Sequence, residues 1–132
     1  MSGEKLEQVY YELVEAWNRG DLDALVGLMA EDVSISTALA GVEGGYSGHA
    51  GARRWWNDFH DVFPDWHAEP VTVRAIGEAT VAQLRLTGHG GESGAPVDLT
   101  MWHVVNWRAD AAVRISRHDT ESEALEAAGV SE

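Results

Sequence analysis

Between Lys5 and Arg19 the apolar side chains Leu6, Val9, Tyr10, Leu13, Val14 and Trp17 recur at the spacing of one helix face, which predicts an amphipathic helix with one buried side. Gly20 is a natural left-handed stop, and Asp21 can cap a short second helix carrying Leu22, Leu25, Val26 and Met29. From Val33 to Thr37 the pattern changes to strict alternation, with Val33 and Ile35 set against Ser34 and Ser36, as in a half-buried strand. The stretch Ala38 to Gly48 holds four glycines and predicts a mobile loop over a pocket mouth. Helical spacing resumes from Ser47 to Pro64, where Ala52, Trp55, Trp56, Phe59 and Phe63 form one aromatic face that also carries His60. Pro64 ends it, because the residue before a proline is pushed out of helical dihedrals.

The second half predicts strands. Trp66 to Ile76 and Ala79 to His89 are joined by the two-residue hairpin signal Gly77-Glu78, and a glycine-rich connection, residues 88 to 96, leads to a long strand from Val97 to Arg108. A turn at Ala109 to Ala112 reverses the chain into Val113 to His118, and Glu123 to Gly129 forms a short helix or turn. Three N-terminal helices followed by a strand meander predict a single α+β domain over residues 1–132, a strongly curved, mostly antiparallel sheet wrapped around helices on one side. Such a sheet closing over an aromatic helix leaves a cone-shaped cavity. Its expected lining is Trp17, Trp55, Trp56 and Phe59 from the helices and Met101 and Val105 from the long strand.

Alternation on that strand puts Leu99, Met101, His103, Val105 and Trp107 on one face and Thr100, Trp102, Val104 and Asn106 on the other. His103 therefore shares an apolar face, where it is either a hydrogen-bonded core histidine or a proton donor to a ligand. His118 and Asp119 end the last strand. A carboxylate beside an imidazole can fix the ring tautomer or raise its basicity, so the pair is a candidate acid-base unit; the alternative is an aspartate that caps the following turn. His60 faces the same choice between plain packing and a role in the cavity.

Composition narrows the classes of function. With 22 acidic and 9 basic residues the formal charge is −13, and the only basic pair is Arg53-Arg54, which disfavours nucleic acid and anionic membranes. The six tryptophans require burial and favour an aromatic-lined interior. Cysteine is absent, which excludes thiolate nucleophiles, disulfides and zinc-cysteine clusters. The six histidines include no His-x-x-x-His pair, so no metal is expected. The acidic N-terminus has neither a basic n-region nor an apolar h-region, and cytoplasmic localisation is the default expectation.

Taken together, YYELVEAWNRGDLDALVGLMAEDVSIS, YSGHAGARRWWNDFHDVFPDW, SGAPVDLTMWHVVNWR and SEALEAAG resemble the SnoaL-like polyketide cyclases of the nuclear transport factor 2-like superfamily, over about Leu6 to Gly129. The resemblance implies a cone-like α+β barrel, a pocket between sheet and helices and a homodimer. The superfamily holds isomerases, cyclases, hydrolases and dehydratases, and also modules that only bind or dimerise, so fold alone does not assign function. By this resemblance His103 falls where ketosteroid isomerases are similar but place a protonated carboxylic acid, and the catalytic aspartate of the cyclases falls on Asp119 or Thr120. The isomerase tyrosine falls on Leu13 and the isomerase aspartate near Thr37, which disfavours that mechanism here. Epoxide hydrolases of the superfamily use an Asp-Arg-Asp arrangement, and Arg85 lacks a matched carboxylate pair. The expectation is a cofactor-free cyclase- or isomerase-type enzyme acting on a hydrophobic carbonyl compound, with His103 as donor and Asp119 with His118 as base. The alternative is a binding or dimerisation module whose sheet exposes Trp102 and Val104.

Overall fold

The computed structural model describes residues 3–36, 45–91 and 93–129. Helices α1 (Gly3–Arg19) and α2 (Leu22–Gly27) precede strand β1 (Met29–Ser36); β2 (Tyr46–Ser47) leads into α3 (Gly48–Val62). Strands β3 (His67–Ile76), β4 (Ala79–His89), β5 (Pro96–Arg108) and β6 (Ala111–His118) follow, and α4 (Glu121–Ala127) closes the chain. The sheet has six strands in the order β2-β1-β6-β5-β4-β3, antiparallel throughout except for the parallel β1–β6 pair. This is the expected α+β architecture, with helices packed against one mixed sheet.

The local signals account for most boundaries. Gly20 takes φ +74° and Asp21 accepts a hydrogen bond from the Ala24 amide at 3.1 Å, so one helix stops and the next is capped within two residues. Gly77 takes φ +58° in the two-residue turn that pairs Ile76 with Ala79. Three boundaries differ from expectation. β1 begins at Met29 because Ala112 at the start of β6 donates its amide to Leu28, drawing the preceding residues into the sheet. β6 begins at Ala111, so the β5–β6 turn is shorter than the alternation implied. Tyr46 and Ser47, inside the glycine-rich stretch, pair with Ile35 and Ser34 as a short strand; residues 38–44 of the expected loop, and Thr37, near which the isomerase aspartate position falls, lie outside the described residues.

The core lies between the inner face of the sheet and the buried faces of α1 and α3. Tyr10, Leu25, Val33, Ile35, Val105 and Ile115 are almost completely shielded. Asn18, at the end of α1, clamps the start of β3 at two points, donating to the Ala68 carbonyl at 2.7 Å and accepting from the Ala68 amide at 2.8 Å. On the other face of the sheet, α4 covers Val81 and Val104 through Ala124, and Val104 is fully buried. This corrects the expectation that Val104 is part of an exposed dimerisation face: the C-terminal helix occupies that surface, and Trp102 is half-buried at its edge.

Candidate active site

Helices and sheet enclose a cavity of about 250 Å³. Its wall is aromatic on the helix side, with Trp17 of α1 and Trp55 and Phe59 of α3, and aliphatic on the sheet side, with Leu84, Leu86 and Met101. The Trp17 ring lies 4.9 Å from Trp55 and 5.3 Å from Phe59, centroid to centroid, so these side chains brace one another and hold the space open. Among the described residues, ionisable side chains enter the wall only as His103 of β5 and Arg117 of β6.

These two residues are cross-strand partners, His103 opposite Arg117, and therefore project from the same face of the sheet. His103 Nδ1 lies 2.9 Å from the Tyr10 hydroxyl. Tyr10 is completely buried and His103 is its hydrogen-bond partner. A phenol in that position donates its proton to Nδ1, because otherwise the O–H would have no acceptor in the core. The neutral ring then carries its proton on Nε2, which has no partner among the described residues, while the ring remains partly accessible along the cavity wall. Burial lowers the His103 pKa from the ordinary 6.5 to about 4, assisted by the nearby His118. Burial likewise raises the Tyr10 phenol, assisted by Tyr11. At neutral pH the pair is therefore an uncharged O–H···N relay that ends in a donor at an apolar chamber.

Arg117 approaches from beside His103. Its Nη2 lies 3.5 Å from Asp119 Oδ1, and its Nε is buried without a hydrogen-bond partner. Asp119 itself is largely exposed at the strand end. Thr120, not Asp119, caps α4, its hydroxyl accepting from the Glu123 amide at 3.2 Å, so the aspartate is not consumed by the turn.

The other residues expected in the site are placed differently. His118 pairs across the strands with Trp102 and so lies in the outward row, where its Nε2 is 2.8 Å from Ser116 Oγ. Burial and Arg114 lower its pKa while Glu123 and Asp119 oppose them, burial being the largest influence. The expected His118–Asp119 unit is thus not assembled at the cavity, because consecutive strand residues face opposite sides. His60 donates from Nδ1 to the Trp56 carbonyl at 2.9 Å and stacks on the Trp56 ring at 4.2 Å; both lie outside the wall, as partly buried packing on α3. Val105 is fully buried in the core and does not reach the cavity. Arg85 pairs with Asp98 at 3.0 and 2.7 Å on an exposed surface, away from the chamber. Tyr10 and Arg117 are the functional candidates that periodicity missed. A tyrosine on the buried face of the first helix was the available signal, since its hydroxyl demands a partner. It supplies a phenol to the site from one turn before Leu13.

No group of three metal-ligating side chains converges among the described residues, and no helix among them is long and apolar enough to cross a membrane.

Helices α1 and α3 on one face of a mixed sheet, α4 on the other, and a cavity between α1, α3 and the sheet make up a nuclear transport factor 2-like fold, which the solved structures below share. A comparison with curated proteins gave no match. The model of the SnoaL-like domain matches residues 10–118, and the chain belongs to that family. Solved structures agree on the fold. An NTF2-like protein of unknown function from Burkholderia pseudomallei superposes with a TM-score of 0.79 at 22% identity, over 96% of this chain and 97% of that one. IdmH from Streptomyces antibioticus, a proposed polyketide cyclase, gives 0.73 at 22% identity over 93% and 97%. TerC, crystallised with polyporic acid, gives 0.75 at 16% identity over 93% and 97%.

Proposed function

We propose that the protein binds a hydrophobic carbonyl compound in the cavity and acts on it by cofactor-free acid-base catalysis of the cyclase or isomerase type. The observation that carries the proposal is the buried hydrogen bond from Tyr10 to His103 at the wall of an otherwise apolar chamber. It holds one imidazole N–H in a low-dielectric setting. There, a hydrogen bond to an oxygen that gains negative charge stabilises an enolate far more than it would in water. The general base in this scheme is Asp119, which stands outside the cavity wall at the strand end, 3.5 Å from Arg117 of that wall. A carbonyl acidifies its own α-hydrogen, so a positioned donor and a base suffice for proton transfer. The family resemblance to polyketide cyclases favours a cyclic or polycyclic carbonyl substrate.

A second reading is favoured by one specific observation. No carboxylate lines the cavity among the described residues, as a binding module without catalysis would have it. The two separate in one experiment, hydrogen-deuterium exchange at the α-carbon of 2-tetralone in deuterated buffer, followed by proton NMR. The enzyme should accelerate exchange, and His103→Asn, which keeps an acceptor for the Tyr10 hydroxyl but moves the donor, should abolish the acceleration. Binding of tetralone without faster exchange would leave the binding module; absence of both binding and exchange would remove the pocket proposal.

A further inference from the structure

The polar side chains around the cavity share one property: their nitrogens donate. His103 presents its Nε2–H, Arg117 is a permanent cation, and the indole nitrogens of Trp17 and Trp55 are, like Arg117 Nε, buried without a hydrogen-bond partner. Apart from the weakly accepting methionine sulfurs, no acceptor side chain and no anion answers them in the wall among the described residues. Trp17, Trp55 and Arg117 thus each hold one donor that neither the core nor the sheet satisfies, and because these three nitrogens are themselves shielded, His103 and the terminal nitrogens of Arg117 are the groups left to meet a ligand. The charge on Arg117 is only partly answered, by one contact of 3.5 Å to an exposed aspartate.

We infer that the cavity selects an apolar molecule bearing an anionic oxygen, a carboxylate or an acidic enol or phenol, with that oxygen seated between His103 and Arg117. The inference rests on the proposed pocket and narrows its ligand from carbonyl compounds in general to those anionic at neutral pH. The geometry suits the task, since the two side chains stand opposite each other on neighbouring strands and offer two donors to one oxygen group. The cation also has a local purpose. A chain of formal charge −13 repels anions at long range, so admitting one requires a positive group at the point of binding.

The test compares 1-adamantanecarboxylate with 1-adamantanecarboxamide, which match in shape, differ in charge and do not absorb where tryptophan does. Binding is read from the fluorescence of the cavity tryptophans. The wild-type protein should prefer the carboxylate by about tenfold or more, the range of one charge-assisted hydrogen bond. Arg117→Gln should bring the two affinities together by weakening the carboxylate alone. Arg117→Lys, which keeps the charge without the planar fork, should retain part of the preference and serves if the glutamine variant does not fold. Asp119→Asn should tighten carboxylate binding severalfold, because it removes the competing anion from the guanidinium; a merely structural arginine would show no such gain. Equal affinities in the wild type, or a preference for the carboxamide, would overturn the inference and leave the pocket proposal standing. Binding of neither probe would overturn the inference and the pocket proposal together.

Discussion

Acid should destabilise this protein through one residue whose contribution can be isolated. His103 has a folded pKa of about 4 against an ordinary 6.5, because burial disfavours its charged form and His118 adds repulsion. Between these values the unfolded chain binds a proton that the folded chain refuses, so stability must fall as pH drops below about 6.5 and level off below about 4. A shift of that size corresponds to about 3 kcal/mol, with a steepest slope of about 1.4 kcal/mol per pH unit. Exposed aspartates titrate in the same acid range. Asp32, Asp65 and Asp98 have pKa values lowered by hydrogen bonds from Arg108, His89 and Arg85 respectively, and they too lose stabilisation as pH falls. The measurement must therefore be a difference. Urea unfolding of wild type and His103→Asn at pH values from 7.5 to 4 cancels the shared carboxylates and leaves the histidine and its coupling to His118. The wild type should lose about 3 kcal/mol more than the variant over that window. A difference that stays constant with pH would show that the ring is not held neutral by burial, and the donor assigned to the cavity would lose its basis.

Tyr10→Phe should destabilise the fold by about 1–3 kcal/mol, because it leaves His103 Nδ1 unpaired in the interior. In nitrogen NMR the His103 ring should change from a single tautomer to a mixture, a change that loss of packing alone would not produce. Asn18→Ala should cost about 2 kcal/mol in chemical denaturation, since it removes both hydrogen bonds that tie the end of α1 to Ala68, with little effect on the His103 titration.

Much of this architecture was legible in the chain. Helical spacing from Leu6 to Trp17 and from Ala52 to Phe63 determined which faces of α1 and α3 are buried, and alternation along β5 put Met101 and His103 in one row. These periodicities are local consequences of 3.6-residue and two-residue repeats, and need no partner to be read. The Gly20-Asp21 corner and the Gly77-Glu78 hairpin were equally local, since each is dictated by the dihedral angles its own residues tolerate.

The composition of the site was decided elsewhere. Alternation says which residues share a face but not which strand lies alongside, nor in what register; here a register shift between Asn106 and Trp107 intervenes before His103 comes to stand opposite Arg117. That pairing turns Arg117 inward and His118 outward, against the role expected of His118. The contact between Tyr10 and His103 spans 93 residues of sequence. It exists because α1 packs on the inner face of the sheet, and no local propensity of either residue specifies it. Sequence by itself determined most of the elements, the inward faces of α1, α3 and β5, and the row that His103 shares with Met101. Only the tertiary structure decided the partners of that histidine, because hydrogen bonds and cross-strand neighbours depend on how distant segments come together.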